Sequence, residues 1–398
     1  MFIKFIKNLG RINFAFIRNR KFLLIAASIL CFLEGFGWEY WRNNLVQSSN
    51  VANPASAEQI AAGVDVNSIP TPPPDLDKNL ASSSVTVTAD SKHIGILFLG
   101  YGGAGHSGGY LSDTIILAYL DVVKKKLTLI HIPRDIWVNV QVGSTTMPMK
   151  INGALAMGTK TSNYPTTTVS EDTVLRASTL TKQAVTTITG LPIDFVVGVD
   201  FNSFPSAIDS LGGIEVNVPT VFDDHWYPVK GRELELCGHT PEAVTAMSAT
   251  MSGFTLEKQF PCRYEHLHFD AGKNHMNGET ALKYARSRHS SSDFARGKRQ
   301  IAIILATVDK MFSLNALDNI PKFYTSLTKS IKTDISAKQV SLIKPILSTF
   351  PDLEVVEIGL DTTNVLQEGK ASSGAFILIP KEGMHNWQGT QDYVRGRI

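Results

Sequence analysis

The sequence predicts an α/β domain, a layered α/β/α arrangement around a mixed central sheet, preceded by one N-terminal transmembrane helix. Three observations carry this expectation. From residue 93 the 398-residue chain alternates short β-type apolar runs with stretches of helical periodicity. Two of those runs follow each other too closely for a helical crossover, so at least one pair is an antiparallel hairpin and the sheet is mixed. Near the N-terminus an apolar run of about 20 residues is long enough to span a bilayer core of roughly 30 Å.

Residues 1–21 carry Lys4, Lys7, Arg11, Arg18, Arg20 and Lys21 and no acid, and 22–41 read FLLIAASILCFLEGFGWEYW. Glu34 lies towards one end of that run, within reach of the interface. A basic flank stays cytoplasmic, which predicts a single-pass plasma-membrane anchor with everything after residue 41 outside. A cleaved signal peptide is the competing reading, since Ala55-Ser56-Ala57 has the form of a cleavage site, but that triplet lies well beyond the apolar run. Residues 42–92, rich in Asn, Ser, Ala, Thr and Pro, predict a mostly disordered extracytoplasmic linker.

The remaining chain, 93–398, is long enough for one substantial core. HIGILFLG (93–100) is a strand ending in glycine-rich YGGAGHSGG, and DTIILAYL (113–120) and KLTLIHIP (126–133) are two more strands. Helical periodicity over 172–189 is followed by a strand at 193–201, a short helix in NSFPSAIDSL and a strand in IEVNVP (214–219). A long amphipathic helix covers 294–312; LEVVEIGL and AFILIP are late strands, and NWQGTQDYV closes the chain as a helix. Cys237 and Cys262 lie 25 residues apart in an oxidising space, which predicts a disulfide; two separate buried thiols are the alternative. No CxxC or Cys/His ligand spacing marks a zinc site.

The hairpin supplies the first spatial expectation. With a turn centred near 123–124, partners sum to about 247, so Asp113 faces Arg134. Asp113, Arg134 and Asp135 then gather at one sheet edge, a plausible site for a divalent cation and a phosphate. A structural salt bridge at a turn is the plainer reading.

The second expectation comes from KYARSRHSSSDFARGKRQ (283–300), in which six of eighteen residues are Lys or Arg in a chain of formal charge +2. An exported domain meets little nucleic acid, so a DNA or RNA patch is excluded. Asp293 can cap the helix that follows, and Arg296, Arg299 and Gln300 share a face near its N-terminus. Arg286 and Arg288 alternate by two, as in an extended approach segment. Four guanidinium groups around an Asp at a helix start match a phosphate, although such a run can also be a solvated face.

In order along the chain stand SDT (112–114), IPRD (132–135), KIN (150–152), an LGG segment leading to the 214–219 strand, NGExALxYxRSR (277–288) and DFxRxxRQ (293–300). This series resembles the LytR-CpsA-Psr family. The resemblance implies an extracytoplasmic phosphotransferase that moves a glycopolymer, with one phosphate, from a polyprenyl-pyrophosphate carrier to a peptidoglycan hydroxyl. Carried over position by position, Asp113, Arg134 and Asp293 are catalytic, and Arg134, Arg286, Arg288, Arg296, Arg299 and Gln300 grip the pyrophosphate, with Arg299 the least defined. Asp113 holds Mg²⁺ or Mn²⁺. Which acid accepts the hydroxyl proton stays open between Asp113, Asp135 and Asp293.

The chain departs from that family's pattern at Gly100-Tyr101-Gly102-Gly103, where a Gly-x-Asp is expected, and at Leu111, where an Arg is expected. Backbone amides of the glycine loop could form an anion nest in their place, and His106 and Ser107 are further candidates there. Two other functions use the same site: a polyprenyl-pyrophosphate hydrolase, and a non-enzymatic lipid-pyrophosphate-binding regulator. Retention of Asp113, both arginines of RSR and Asp293 favours the transferase.

Overall fold

A computed structural model describes residues 91–106, 108–143, 145–159, 171–288, 293–313, 330–341 and 353–398. Strands β1 (His93–Tyr101), β2 (Ser112–Asp121) and β3 (Lys126–His131) lead, followed by the hairpin β4 (Trp137–Val142) and β5 (Thr145–Lys150). Helices α1 (Gly153–Thr159) and α2 (Glu171–Thr189) precede β6 (Phe195–Asp200), α3 (Ser203–Ser210), β7 (Ile214–Val218) and β8 (Phe222–Pro228). An excursion with α4 (Pro241–Thr250) and α5 (Gly253–Glu257) returns through β9 (Tyr264–Phe269) and β10 (Gly272–Met276) to α6 (Gly278–Arg286) and α7 (Asp293–Ser313). The chain closes with β11 (Lys332–Thr333), β12 (Glu354–Gly359), β13 (Leu366–Lys370), β14 (Phe376–Pro380) and α8 (Gln388–Arg395).

The central sheet has six strands in the order β11-β6-β1-β2-β3-β12. It is mixed: β1–β6 and β3–β12 are parallel, whereas β1–β2, β2–β3 and β6–β11 are antiparallel. The runs of continuous apolar residues follow from burial on both faces. Along β1, Ile94, Ile96 and Phe98 enter one core, with residues of α3, α6, α7 and β7. Leu97, Leu99 and Tyr101 enter the other, with residues of α1, α2, β4 and α8. Each such aliphatic or aromatic side chain stabilises the fold by roughly 1.5–3 kcal/mol relative to exposure, so the layered α/β/α arrangement is the way this alternation can be buried.

The β2–β3 register sums to 247 throughout, from Asp121↔Lys126 to Ile116↔His131. Its turn is set locally. The Asp121 carboxylate accepts the Val123 and Lys124 amides at 3.0 and 2.8 Å, and Lys125 takes a left-handed φ of 56°. That closure determines what meets at the far end of the hairpin.

Cys237 and Cys262 form a disulfide, with Cα atoms 5.6 Å apart, inside the excursion between β8 and β9. Among the described residues no helix is long and apolar enough to cross a membrane. The expected span at 22–41 and most of the expected linker at 42–92 lie outside the described residues.

Candidate active site

The site begins where β2 and β3 leave the ladder. Ile132 donates its amide to Ile115, the last rung, and the chain then turns through Pro133. Arg134 Nη1 donates to Asp113 Oδ1 at 3.0 Å, with the two side chains 6% and 1% exposed. Beside them Lys150 Nζ lies 2.5 Å from Asp135 Oδ1, and Arg134 Nε lies 3.5 Å from Asp135 Oδ2. The backbone knits the same three segments: Ser112 N donates to Asn152 O and Asn152 N to Arg134 O. SDT, IPRD and KIN, distant in sequence, thus form one buried node.

Both Asp135 oxygens face cations, so of the three acids considered as proton acceptor Asp135 becomes a positioning residue. Sequence reasoning does not assign Lys150, although it lies in the KIN motif. Burial pushes the Asp113 carboxyl up to about 6, while Arg134 and then Arg288 pull it back and Asp135 pushes it further. Arg288, more than 150 residues away along the chain, is therefore within electrostatic reach of Asp113.

The arginine cluster is built by two helices. Asn277 caps α6, its Oδ1 accepting the Thr280 amide at 2.9 Å. Arg286, expected on an extended segment, is instead the last residue of α6, because Ala281, Tyr284 and Ala285 bury the helix face up to that point. The Arg286 guanidinium lies over Phe201, 4.5 Å from the ring centroid, and its buried Nε makes no hydrogen bond among the described residues. Ser287, extended and buried, and Arg288 follow.

Helix α7 begins at Asp293 itself, so Asp293 belongs to the first turn rather than capping it from outside; its side chain lies outside the described residues. Arg296, Arg299 and Gln300 share the buried face, whereas Lys298 is exposed and covers the Phe294 ring at 4.8 Å. Gly297 sits against β3: a Cβ there would lie 2.7 Å from the His131 ring. This close approach brings the first turns of α7 onto the strand that leads to Arg134.

Burial drives the Arg296 guanidinium down to about 9, with the Arg299 charge adding to the effect. Such a group is still cationic at neutral pH but deprived of hydration, so a phosphate oxygen reaching it gains a strong charge-assisted bond. Arg299 is tied to the backbone of the neighbouring helix. Its Nε donates to Tyr284 O at 2.9 Å, its Nη2 donates to Ser287 O, and its plane stacks over Phe222 and Tyr284. It holds the end of α6 and so aims Arg286 and Arg288. On the other side Ser287 Oγ donates to buried Asp224 Oδ2, a contact no sequence signal announces.

The glycine loop bonds to itself. Gly103 N donates to Gly109 O, His106 N to Gly103 O, Gly109 N to His106 O and Gly108 N to the His106 imidazole. These four amides are spent inside the loop, which does not support an anion nest there. The His106 ring, edge-on to Phe201, is held neutral: burial, Arg286 and Lys230 push it down to about 4. A Cβ at Gly102 would lie 2.4 Å from His106 Nδ1. The imidazole thus occupies the space that a side chain at the expected acid position would need. Ser107 lies outside the described residues. Near the loop, Asp200 pairs with Tyr101 in register and accepts the Asn202 and Ser203 amides at 2.9 Å.

At Asp113 one carboxylate oxygen is left for a hard cation. One Asp113 oxygen is bonded to Arg134, and Mg²⁺ ordinarily takes one or two carboxylates plus waters and substrate phosphate oxygens. The residues fit a metal bound together with its phosphate substrate rather than a closed protein cage.

Known proteins resemble the chain in sequence and in fold. TagV of Bacillus subtilis, a polyisoprenyl-teichoic acid–peptidoglycan teichoic acid transferase, is 28% identical over 274 residues, 68% of this chain and 56% of that protein. TagU of Enterococcus faecalis, a transferase of the same description, is 24% identical over 227 residues, 56% of this chain and 55% of that protein. The chain thus spans little more than half the length of these curated relatives. The crystal structure of B. subtilis TagV has the same fold, with a TM-score of 0.52 at 24% identity, covering 77% of this chain and 96% of that one. The LytR_cpsA_psr family matches residues 66–383, most of the chain, and the protein belongs to that family.

Proposed function

We propose that this protein transfers a glycopolymer, with one phosphate, from a polyprenyl-pyrophosphate carrier to a peptidoglycan hydroxyl. The observation that carries the reading is the buried Asp113–Arg134 pair with the Arg288 charge acting on the same carboxylate, beside a helix start that buries Arg296. The transferase activity of the TagV and TagU relatives supports it. Phosphoryl transfer asks mainly for positioning and for neutralisation of charge on the phosphate oxygens. Arg286 and Arg288 approach from the end of α6, Arg296 from the first turn of α7, and Arg134 from the sheet edge. Arg299, Asp135 and Lys150 hold these groups in place.

Asp113, with substrate phosphate oxygens, would hold Mg²⁺ or Mn²⁺; the ion would add charge neutralisation to that of the guanidinium groups. The basic 1–21 segment and the apolar 22–41 run support anchoring in the plasma membrane with the domain outside, where a lipid-linked donor and peptidoglycan both lie.

The test is incubation of the full-length chain with a polyprenyl-pyrophosphate glycan, Mg²⁺ and peptidoglycan fragments, followed by mass analysis. The expected product is the acceptor plus glycan plus one phosphate, with polyprenyl monophosphate released. Release of glycan phosphate onto water alone would replace this reading with the hydrolase, and recovery of intact donor with the binding regulator.

A further inference from the structure

The hairpin of β8 and β9 carries a second group of metal-ligand side chains, on the face turned away from the core. Along β9, Leu267 and Phe269 point inwards and are buried, so His266 and His268 point outwards together. Across the ladder Asp223 is the register partner of His268. Asp223 Oδ1 lies 2.8 Å from both His266 Nε2 and His268 Nδ1. One ligand atom from each of the three side chains falls within 4.8 Å of the other two.

We propose that this face binds one divalent transition-metal ion of the zinc class through His266 Nε2, His268 Nδ1 and a carboxylate oxygen of Asp223. Tetrahedral zinc with bonds of about 2.0–2.1 Å needs ligand atoms roughly 3.3 Å apart. The observed 2.8 Å contacts require the side chains to open by about half an ångström, and at 41–48% exposure they have room to do so. Two imidazoles and one carboxylate select zinc, copper or nickel over the hard cations that prefer all-oxygen sites, so this site differs in kind from the one at Asp113. Three protein ligands leave a coordination position for water or an outside ligand.

The surroundings match what a metal-bound histidine needs. The other ring nitrogen of His268, Nε2, lies 3.4 Å from Asp270 Oδ1, a carboxylate placed to fix the tautomer and orient the ring. The His225 ring stacks on His266 with centroids 4.0 Å apart and restrains its plane. The strands themselves are anchored from beneath by Leu267, Phe269 and Tyr227 in the core. Immediately beside Asp223, Asp224 points inwards and accepts the Ser287 hydroxyl. An ion joining β8 to β9 would therefore brace the strand that holds the RSR segment. The His266-x-His268 alternation is legible in YEHLHF and differs from the CxxC and Cys/His spacings; its acid lies 43 residues upstream.

The experiment is equilibrium dialysis of the full-length chain against Zn²⁺ in excess Mg²⁺, with metal content measured by mass spectrometry and Co²⁺ visible absorption reporting the geometry. One equivalent of Zn²⁺ and a tetrahedral Co²⁺ spectrum are expected. The double variant His266→Gln/His268→Gln should lose that equivalent, Asp270→Asn should weaken it on the order of 10–100-fold, and Asp113→Asn should retain it. All of the substituted hairpin side chains are on the surface, and near-ultraviolet circular dichroism checks that the core is unchanged. No zinc held by the parent chain, undiminished binding in the double variant, or loss in Asp113→Asn would each overturn the proposal.

Discussion

Arg134 and Asp113 form a buried ion pair, Nη1 to Oδ1 at 3.0 Å, across the open end of the β2–β3 hairpin. Removing one partner of such a pair leaves a stranded charge, which costs about 3–5 kcal/mol. Arg134→Ala should therefore lower stability by about that amount, as read by urea unfolding, and abolish transfer. In that variant the Asp113 carboxyl loses the strongest pull towards ionisation and should titrate higher still. A stability change below about 1 kcal/mol would mean that the pair contributes little net energy.

The arginines divide into two roles, and kinetics separates them. Arg288→Ala and Arg296→Ala should reduce transfer at least 100-fold even in the fraction that remains folded, since each removes a cation from the proposed site. Arg299→Ala should instead lower stability by about 1–3 kcal/mol, because it strands the Tyr284 and Ser287 carbonyls. Arg299→Lys should rescue little, since one ammonium cannot serve both carbonyls as the planar fork does. Equal effects of all three Ala substitutions on stability would sink this division.

Gly102 and His106 should be energetically coupled. Gly102→Ala puts a methyl group 2.4 Å from His106 Nδ1, and overpacking of this kind costs about 1–3 kcal/mol. In a His106→Ala background the space is vacated and most of that cost should vanish. A double-mutant cycle in thermal unfolding measures the coupling; simple additivity would show that the imidazole does not fill the position.

His131 makes the fold sensitive to mild acid. Burial against α7 pushes its imidazole down to about 4, so between the ordinary histidine value near 6.5 and about 4 the unfolded chain binds a proton that the folded chain refuses. The stabilisation is present in full above pH 6.5 and is lost as pH falls through that window, by up to about 3 kcal/mol. Asp113, pushed up to about 6, acts in the opposite sense, favouring the folded state as pH falls from about 6 towards 4. His131→Gln isolates the histidine: between about pH 7 and pH 5 it should lose up to about 2 kcal/mol less than the parent chain. Identical losses in the two proteins would refute the assignment.

The central sheet and part of the site are legible in the sequence because they depend on local rules. Apolar runs mark β1, β2, β3 and β6, and the β2–β3 register can be counted from its turn, which places Asp113 opposite Arg134 by residue number alone. Helical spacing puts Arg296, Arg299 and Gln300 on one face of α7. Their individual duties are not legible in the same way. Arg299 and Arg296 differ only in what stands beside them, and for Arg299 that is a pair of carbonyls at the end of another helix.

The sequence by itself determined the layered α/β/α arrangement, the hairpin register that brings Arg134 to Asp113 and the shared face of Arg296, Arg299 and Gln300, because periodicity and turn closure act over a few residues. Only the tertiary structure decided that Asp135 is held by Lys150, that His106 fills the space above Gly102, and that Asp223 meets His266 and His268. The first and last of these contacts join segments 15 and about 43 residues apart, and the second depends on how an irregular loop folds back on itself, so no periodic pattern announces any of them.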